Sequence, residues 1–115
     1  MGGMIHPESD YGGLFTKFPS ITIRLGDKDS TKTYGGQVRS EITSIVIKVI
    51  QQDLIKIGYY CSVSGDFDTK TFWAVRMFNE HFLSRSELGE IQQYDSVDEN
   101  TANAIKGVLT MINSI

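Results

Sequence analysis

The sequence has little of several features that would define a protein class. Cys61 is the only cysteine among 115 residues, which excludes an intrachain disulfide and a metal cluster built from cysteines. The apolar runs, such as residues 45–47 and 72–75, are far too short for a membrane span. The 11 basic residues are scattered among 14 acidic ones and provide no basic surface for nucleic acid. The N-terminus lacks the basic region and apolar segment of a secretory signal.

The composition itself is that of a folded domain. Apolar residues make up 40% of the chain and charged residues 22%, with a net charge of −3. A chain of this length and composition is expected to form one domain with its own hydrophobic core.

Residues 1–37 are predicted to form an N-terminal arm, because glycine and proline recur there and disfavour regular elements. Residues 21–25 alternate apolar and polar side chains, which is typical of a short strand. A turn and a returning strand over residues 31–34 would complete a short β-hairpin. The arm contains too many large apolar side chains for a free linker, and they predict packing on the domain: Tyr11, Leu14, Phe15 and Phe18.

A first helix is predicted over residues 40–57. Its apolar residues recur at helical spacing and form one stripe: Ile42, Ile45, Val46, Val49, Leu54 and Ile57. Lys48, Gln51 and Gln52 are expected to lie off this stripe. Gly58 follows directly and is suited to a left-handed cap that ends the helix.

One pattern occurs twice, over residues 65–78 and 95–108. It reads apolar-Asp-x-x-Thr-x-x-Ala, followed by Val or Ile and then a basic residue. An N-cap Asp accepts a hydrogen bond from the backbone N–H three residues later, so each copy predicts a helix start. The capping residues are Asp68 and Thr71 in the first copy and Asp98 and Thr101 in the second.

The two helices that follow these starts each have an apolar face directed at the core. In the second helix the face comprises Thr71, Ala74, Val75, Phe78 and Phe82, and in the third Ala104, Ile105, Val108, Leu109 and Ile112. Phe67 and Phe72 flank the first cap as a hydrophobic staple. The sequence therefore predicts a mostly α fold, a compact three-helix bundle over residues 38–115.

The order and spacing of three segments resemble the peptidoglycan-binding-domain-like family. Residues 47–59 are similar to the family pattern Val-x-x-Leu-Gln-x-x-Leu-x-x-x-Gly-Tyr. Residues 65–78 are similar to Gly-x-Phe-Asp-x-x-Thr-x-x-Ala-Val-x-x-Phe, and residues 97–101 to Val-Asp-x-x-Thr. Asn79 stands where the family usually has Gln, and the glycine expected before the third segment is missing. Residues 78–82 look most similar to modules attached to N-acetylmuramoyl-alanine amidases.

The resemblance implies a non-catalytic module that binds peptidoglycan or muropeptides and needs no cofactor. Such a module would direct an associated hydrolase or secreted effector to the bacterial cell wall, in the periplasm or outside the cell. Some family members serve instead as spacers or docking units. A protein-interaction or structural docking module on the same scaffold is therefore the alternative.

Side chains that could perform catalysis do not form a recognisable site. His6, Cys61 and His81 show no zinc-site spacing, so no metal is expected. Asp66 and Asp68 are explained as a turn residue and an N-cap rather than as paired catalytic carboxylates. We therefore expect no enzyme activity, and a hydrolase remains the weakest of the three hypotheses.

Trp73 is the most informative candidate for binding, because it lies opposite the core face of the second helix. Met77 and His81 extend this side into a second apolar strip. The favoured interpretation is that the strip packs against the N-terminal arm, since large aromatic side chains are usually buried. The alternative is an exposed contact for a ligand or partner.

Four further residues complete the candidate binding set: Tyr59, Tyr60, Arg76 and Asn79. One tyrosine is expected to pack inward and the other to present its hydroxyl at a groove between helices. Arg76 and Asn79 flank the core face and have groups suited to a carboxylate or an acetamido group. An ordinary solvent-exposed role is the favoured interpretation for each.

Overall fold

The computed structural model describes residue 18 and residues 22–29, 33–34, 37–38, 45–83 and 95–114. The described chain is mostly helical, with α1 at Val46–Ile57, α2 at Thr69–Phe82 and α3 at Glu99–Asn113. α1 packs against both α2 and α3, and α2 also contacts α3. The predicted three-helix bundle is therefore confirmed. None of the helices in these ranges has the length and apolar character needed to cross a membrane.

A short antiparallel strand pair is present, but its position along the chain differs from the prediction. β1 at Thr33–Tyr34 pairs with β2 at Gln37–Val38. Ile23, predicted to lie in the first strand of the hairpin, instead forms an isolated antiparallel bridge with Val97. The N–H of each donates to the carbonyl of the other at 2.8 Å. Alternation of apolar and polar side chains indicates an extended backbone but does not identify its partner.

α1 begins at Val46, later than the predicted residue 40; residues 40–44 lie outside the described residues. Ile45 precedes the helix with a non-helical backbone, φ −122° and ψ 21°. The cap comes from Asp29, whose two carboxylate oxygens accept from the N–H groups of Ile47 and Lys48 at 2.8 and 2.9 Å. Helical spacing alone overextended this helix because its capping side chain lies 18 residues upstream of Ile47.

The same segment, residues 22–29, also hydrogen-bonds to the residues that precede the caps of the other two helices. Phe67, before α2, accepts from the N–H of Gly26 at 3.0 Å and donates to the carbonyl of Asp27 at 2.9 Å. The bridge formed by Ile23 does the same before α3. Residues 22–29 therefore contact the N-terminal ends of all three helices.

The repeated helix starts have the predicted cap geometry. Asp68 accepts from the N–H of Thr71 at 3.0 Å, and Asp98 accepts from the N–H of Thr101 at 2.9 Å. Gly58 ends α1 with a φ of 126°, which confirms the left-handed cap. The Asp and Thr of each copy are thus fold-specifying residues.

The hydrophobic core receives side chains from all three helices and from the segments before them. Its largest fully buried apolar members are Phe67, Phe78, Ile23, Ile47, Ile50, Leu54 and Ile105. Phe72 packs against this cluster, as expected from its place beside the cap of α2. Phe18 also belongs to the cluster, whereas Tyr11, Leu14 and Phe15 lie outside the described residues.

The burial of several side chains differs from the prediction. Gln51 was expected off the apolar stripe, yet it is fully buried, because it has polar partners inside the protein. Phe82 and Ile112 were expected in the core but are 46% and 40% exposed, because they lie near the C-terminal ends of α2 and α3. Ile45, placed on the stripe of α1, is 39% exposed and precedes the helix.

Candidate functional site

Trp73 lies on the solvent side of α2, and its side chain is 55% exposed. The expectation that Trp73 is buried was therefore wrong, and Leu14 and Phe15, which were expected to cover it, lie outside the described residues. Phe18, the member of the arm's aromatic set that the structure describes, packs into the core cluster instead. The indole is supported on one side by Phe72, whose ring meets it edge-on with the centroids 5.1 Å apart.

Side chains at helical spacing surround Trp73 and, with one tyrosine from the preceding loop, form what we call the Trp73 face: Tyr60, Lys70, Trp73, Arg76, Met77 and Glu80. Residues three and four positions apart are neighbours on a helix surface, so the α2 members are contiguous. Tyr60 is 76% exposed and Met77 46% exposed. This face is accessible to a ligand, and its backbone is held by a regular helix.

Each exposed aromatic ring of the face has a cation near it. The Arg76 guanidinium carbon lies 6.0 Å from the centre of the Trp73 ring, and the Lys70 ammonium lies 5.3 Å from the centre of the Tyr60 ring. Arg76 also forms an ion pair with Glu80, with Nε 3.2 Å from Oε2. The face thus combines two exposed aromatic rings, each with a cation beside it.

Asn79 belongs to the protein interior, which corrects its place among the candidate ligand contacts. Its side chain is fully buried, and its Nδ2 donates to the carbonyl of Ser96 at 3.3 Å. The sequence placed Asn79 at the edge of the core face, and the segment before α3 covers that edge. Asn79 therefore joins α2 to this segment and is not accessible to a ligand.

Tyr59 packs inward, as expected for one of the two tyrosines. Its ring contacts the core cluster and meets Phe78 edge-on with centroids 6.1 Å apart. Its hydroxyl lies 2.5 Å from Nδ1 of His81, at the C-terminal end of α2. Burial raises the pKa of Tyr59 above its ordinary value. These contacts give Tyr59 a packing role, whereas Tyr60 is the accessible tyrosine.

Asp68 and Thr71 are occupied by a buried hydrogen-bond network centred on Gln51. Thr71 Oγ1 donates to Asp68 at 2.9 Å and accepts from Gln51 Nε2 at 2.8 Å. Gln51 Oε1 accepts from the N–H groups of Ser64 and Gly65 at 2.9 and 3.0 Å. The network fixes the loop before α2 on α1, so these polar groups serve the fold.

No group of three or more His, Cys, Asp or Glu side chains in the described ranges is arranged to hold a metal ion. Cys61 is buried, and its Sγ donates to the carbonyl of Gln51 at 3.6 Å. Burial and the nearby negative charge of Asp68 raise the pKa of the Cys61 thiol to about 11. The thiol is therefore protonated at neutral pH, unlike a reactive cysteine. His6 lies outside the described residues.

The structure brings Tyr60, Trp73 and Arg76 of the predicted set to one surface and places Tyr59 and Asn79 elsewhere. Lys70 and Glu80 are the members of the face that the sequence reasoning missed. Their positions, three residues before Trp73 and four residues after Arg76, were the available signal, because such spacing places residues on the same side of a helix.

Comparison of the chain with protein-family models, with curated proteins and with solved structures gave no match in any of the three. The function is therefore argued from the chemistry of the Trp73 face and from the resemblance of the sequence pattern.

Proposed function

We propose that this chain is a non-catalytic module that binds the glycopeptide of the bacterial cell wall through the Trp73 face. The observation that carries the proposal is the half-exposed indole of Trp73, which lies on a regular helix with Arg76 beside it and with Lys70 three positions earlier. The sequence resemblance to peptidoglycan-binding modules supports the same ligand class.

The chemistry of the face suits a wall glycopeptide. The apolar side of a sugar ring can stack on an indole, while a few polar groups around it fix its orientation. Peptide stems carry carboxylates, which guanidinium and ammonium groups bind through charge-assisted hydrogen bonds. The net charge of the chain is −3, so the two cations beside Trp73 are a local feature against an acidic background.

A module of this kind acts by raising the local concentration of whatever is linked to it. Its proposed role is to hold a hydrolase or a secreted effector at the wall, which requires a periplasmic or extracellular location. No catalytic step is assigned to the chain.

Sedimentation with purified sacculi at low salt tests the proposal. The unaltered protein is expected to pellet with the wall, and Trp73→Ala is expected to weaken retention by about tenfold, the scale of losing one well-packed aromatic contact. Tyr60→Ala and Arg76→Ala are expected to weaken retention by smaller factors, because each contributes at the edge of the contact.

Phe82→Ala is the matched control. Phe82 lies on the same helix with a similar exposure of 46%, but at the edge of the core where its ring stacks on Phe78. Equal losses for Trp73→Ala and Phe82→Ala would show that retention does not depend on the Trp73 face. Absence of any retention of the unaltered protein would contradict the proposal outright.

The alternative function is docking of a partner protein through the same face. Met77 favours it, because this side chain is 46% exposed beside Trp73, and Met, Trp and Arg are enriched at the centres of protein interfaces. Under this alternative the protein fails to pellet with sacculi, and Met77→Ala and Trp73→Ala both weaken the complex with a linked or partner domain.

A further inference from the structure

Lys70 differs from Arg76 in how its charge is used. Arg76 is paired with Glu80 at 3.2 Å, whereas the Lys70 ammonium rests over the ring of Tyr60 and forms no ion pair with any described carboxylate. A cation over an aromatic ring keeps its full charge and remains able to donate hydrogen bonds. Of the two cations beside Trp73, Lys70 is therefore the one left to bind an external anion.

The acidic side chains near Lys70 in the sequence have other partners. Asp66 pairs with Lys28, with Oδ2 3.8 Å from Nζ. Asp68 accepts from both the N–H and the hydroxyl of Thr71. These contacts leave the ammonium of Lys70 without internal neutralisation on its own stretch of chain.

Lys70 contacts the ring of Tyr60 and lies three positions before Trp73 on α2. Residues at i and i+3 on a helix have Cβ atoms about 5–6 Å apart, so the Lys70 side chain begins one turn from the indole. The Tyr60 ring holds the ammonium, and its own hydroxyl, on a 76% exposed side chain, is a second donor. A ring stacked on Trp73 would have any attached carboxylate within reach of both groups.

We propose that Lys70, held by the Tyr60 ring, is the carboxylate-binding part of the Trp73 face. The proposal rests on the proposed function and adds an orientation. The sugar ring lies on Trp73, and the carboxylate points toward the N-terminal end of α2, away from the Arg76–Glu80 pair. The carboxylate belongs either to the sugar's own acidic substituent or to the attached peptide.

Fluorescence titration measures this directly, because Trp73 is the single tryptophan of the chain and lies in the proposed site. Four probes are used: N-acetylglucosamine, N-acetylmuramic acid, a muramyl dipeptide with free glutamate carboxylates, and the same dipeptide with those carboxylates amidated. At low salt we expect the acid to bind more tightly than its uncharged counterpart by about two- to fivefold, the size of an exposed ion pair. Tighter binding of the acid in the monosaccharide pair would show that Lys70 binds a carboxylate on the sugar. Tighter binding of the acid in the dipeptide pair would show that it binds a carboxylate on the peptide.

Charge variants identify the residue responsible. Lys70→Gln is expected to bind acid and uncharged probe equally, whereas Lys70→Arg keeps the preference. One control should also keep it: Lys56→Gln, which removes an exposed lysine from α1.

Three results would overturn the inference: no difference between acid and uncharged probes in the unaltered protein, a preference that survives Lys70→Gln, or no fluorescence response to any probe. Sacculus sedimentation of the same preparation separates this failure from failure of the proposed function. Retention that depends on Trp73 without a carboxylate preference defeats only the orientation. Absence of retention defeats the proposed function as well.

Discussion

Lys106 of α3 forms a buried ion pair with Asp53 of α1, and the two side chains are only 7% and 6% exposed. Both charges are removed from water, so each depends on the other for compensation. The pair joins the two helices across their contact and fixes how they meet. It was not predicted, because neither residue differs in its local sequence from an ordinary surface charge.

Removing one partner of this pair is expected to be costly. Lys106→Met leaves Asp53 buried without its cation and should lower the free energy of unfolding by about 3 kcal/mol, measured by urea denaturation. Lys56→Met, which removes an exposed lysine from α1, should change it by less than about 0.5 kcal/mol. The double variant Asp53→Leu/Lys106→Met should be more stable than Lys106→Met alone. A Lys106→Met protein as stable as the Lys56→Met control would contradict this account.

Gln51 and Gln52 are adjacent and should respond very differently to the same substitution. Gln51 is fully buried, and its side chain bonds to Ser64, Gly65, Thr71 and the carbonyl of Asp66. Gln51→Leu leaves several of these groups without partners and should cost about 2–3 kcal/mol of stability. Gln52 is exposed, so Gln52→Leu should be nearly neutral. Similar midpoints for the two variants in urea would rule out the network as a source of stability.

The two helix caps should not be equivalent, although the sequence repeats them. Asp68 accepts from the N–H and hydroxyl of Thr71, which is bonded in turn to Gln51, whereas Asp98 accepts from the N–H of Thr101. Loss of an N-cap side chain costs about 1 kcal/mol, so Asp98→Ala should show about that loss and Asp68→Ala about 2 kcal/mol. Thermal unfolding of the two variants compares them directly. Equal losses in the two variants, or the reverse order, would contradict a stabilising role of the hydroxyl bond.

Stability should fall in mildly alkaline solution because of Cys61. Its pKa is raised from an ordinary 9.0 to about 11 in the folded protein, so the unfolded thiol loses its proton first as the pH rises. The contribution is therefore complete below pH 9 and is lost as the pH rises toward 11, with a slope of at most about 1.4 kcal/mol per pH unit.

Cys61→Ala isolates this effect. The pKa of Tyr59 is also raised by burial, and Tyr59 remains in the variant, so its similar contribution at higher pH is common to both proteins. Urea unfolding at a series of pH values should show a shallower alkaline loss in Cys61→Ala. Parallel curves for the two proteins would mean that the Cys61 thiol ionises alike in the folded and unfolded states.

The parts of the fold that the sequence predicted are those specified by neighbouring residues. Asp68 and Asp98 mark helix starts because each carboxylate accepts a hydrogen bond from a backbone N–H only three positions later. Gly58 marks a helix end because its backbone conformation disfavours other residues. The start of α1 was missed because its cap, Asp29, arrives from a distant part of the chain.

Burial of polar side chains could not be predicted for the same reason. Gln51, Asn79 and Lys106 are typical surface residues by composition, and each is buried only because a partner meets it inside the fold. Within the candidate site, the position of Trp73 on its helix was predictable from helical spacing. Its exposure was not, because helical spacing identifies the side of a helix but not what packs against that side.

The pairing of Ile23 with Val97 has a consequence for the order in which the domain can be completed during synthesis. Asp29 leaves the ribosome before α1 and can cap that helix as soon as it emerges, and Phe67 follows with α2. Val97 emerges much later, and the loop closed by its pairing with Ile23 spans most of the chain. Because long loops are slow to close, this pairing is expected to form last. A nascent chain arrested before α3 would therefore display α2 on a domain that is still open.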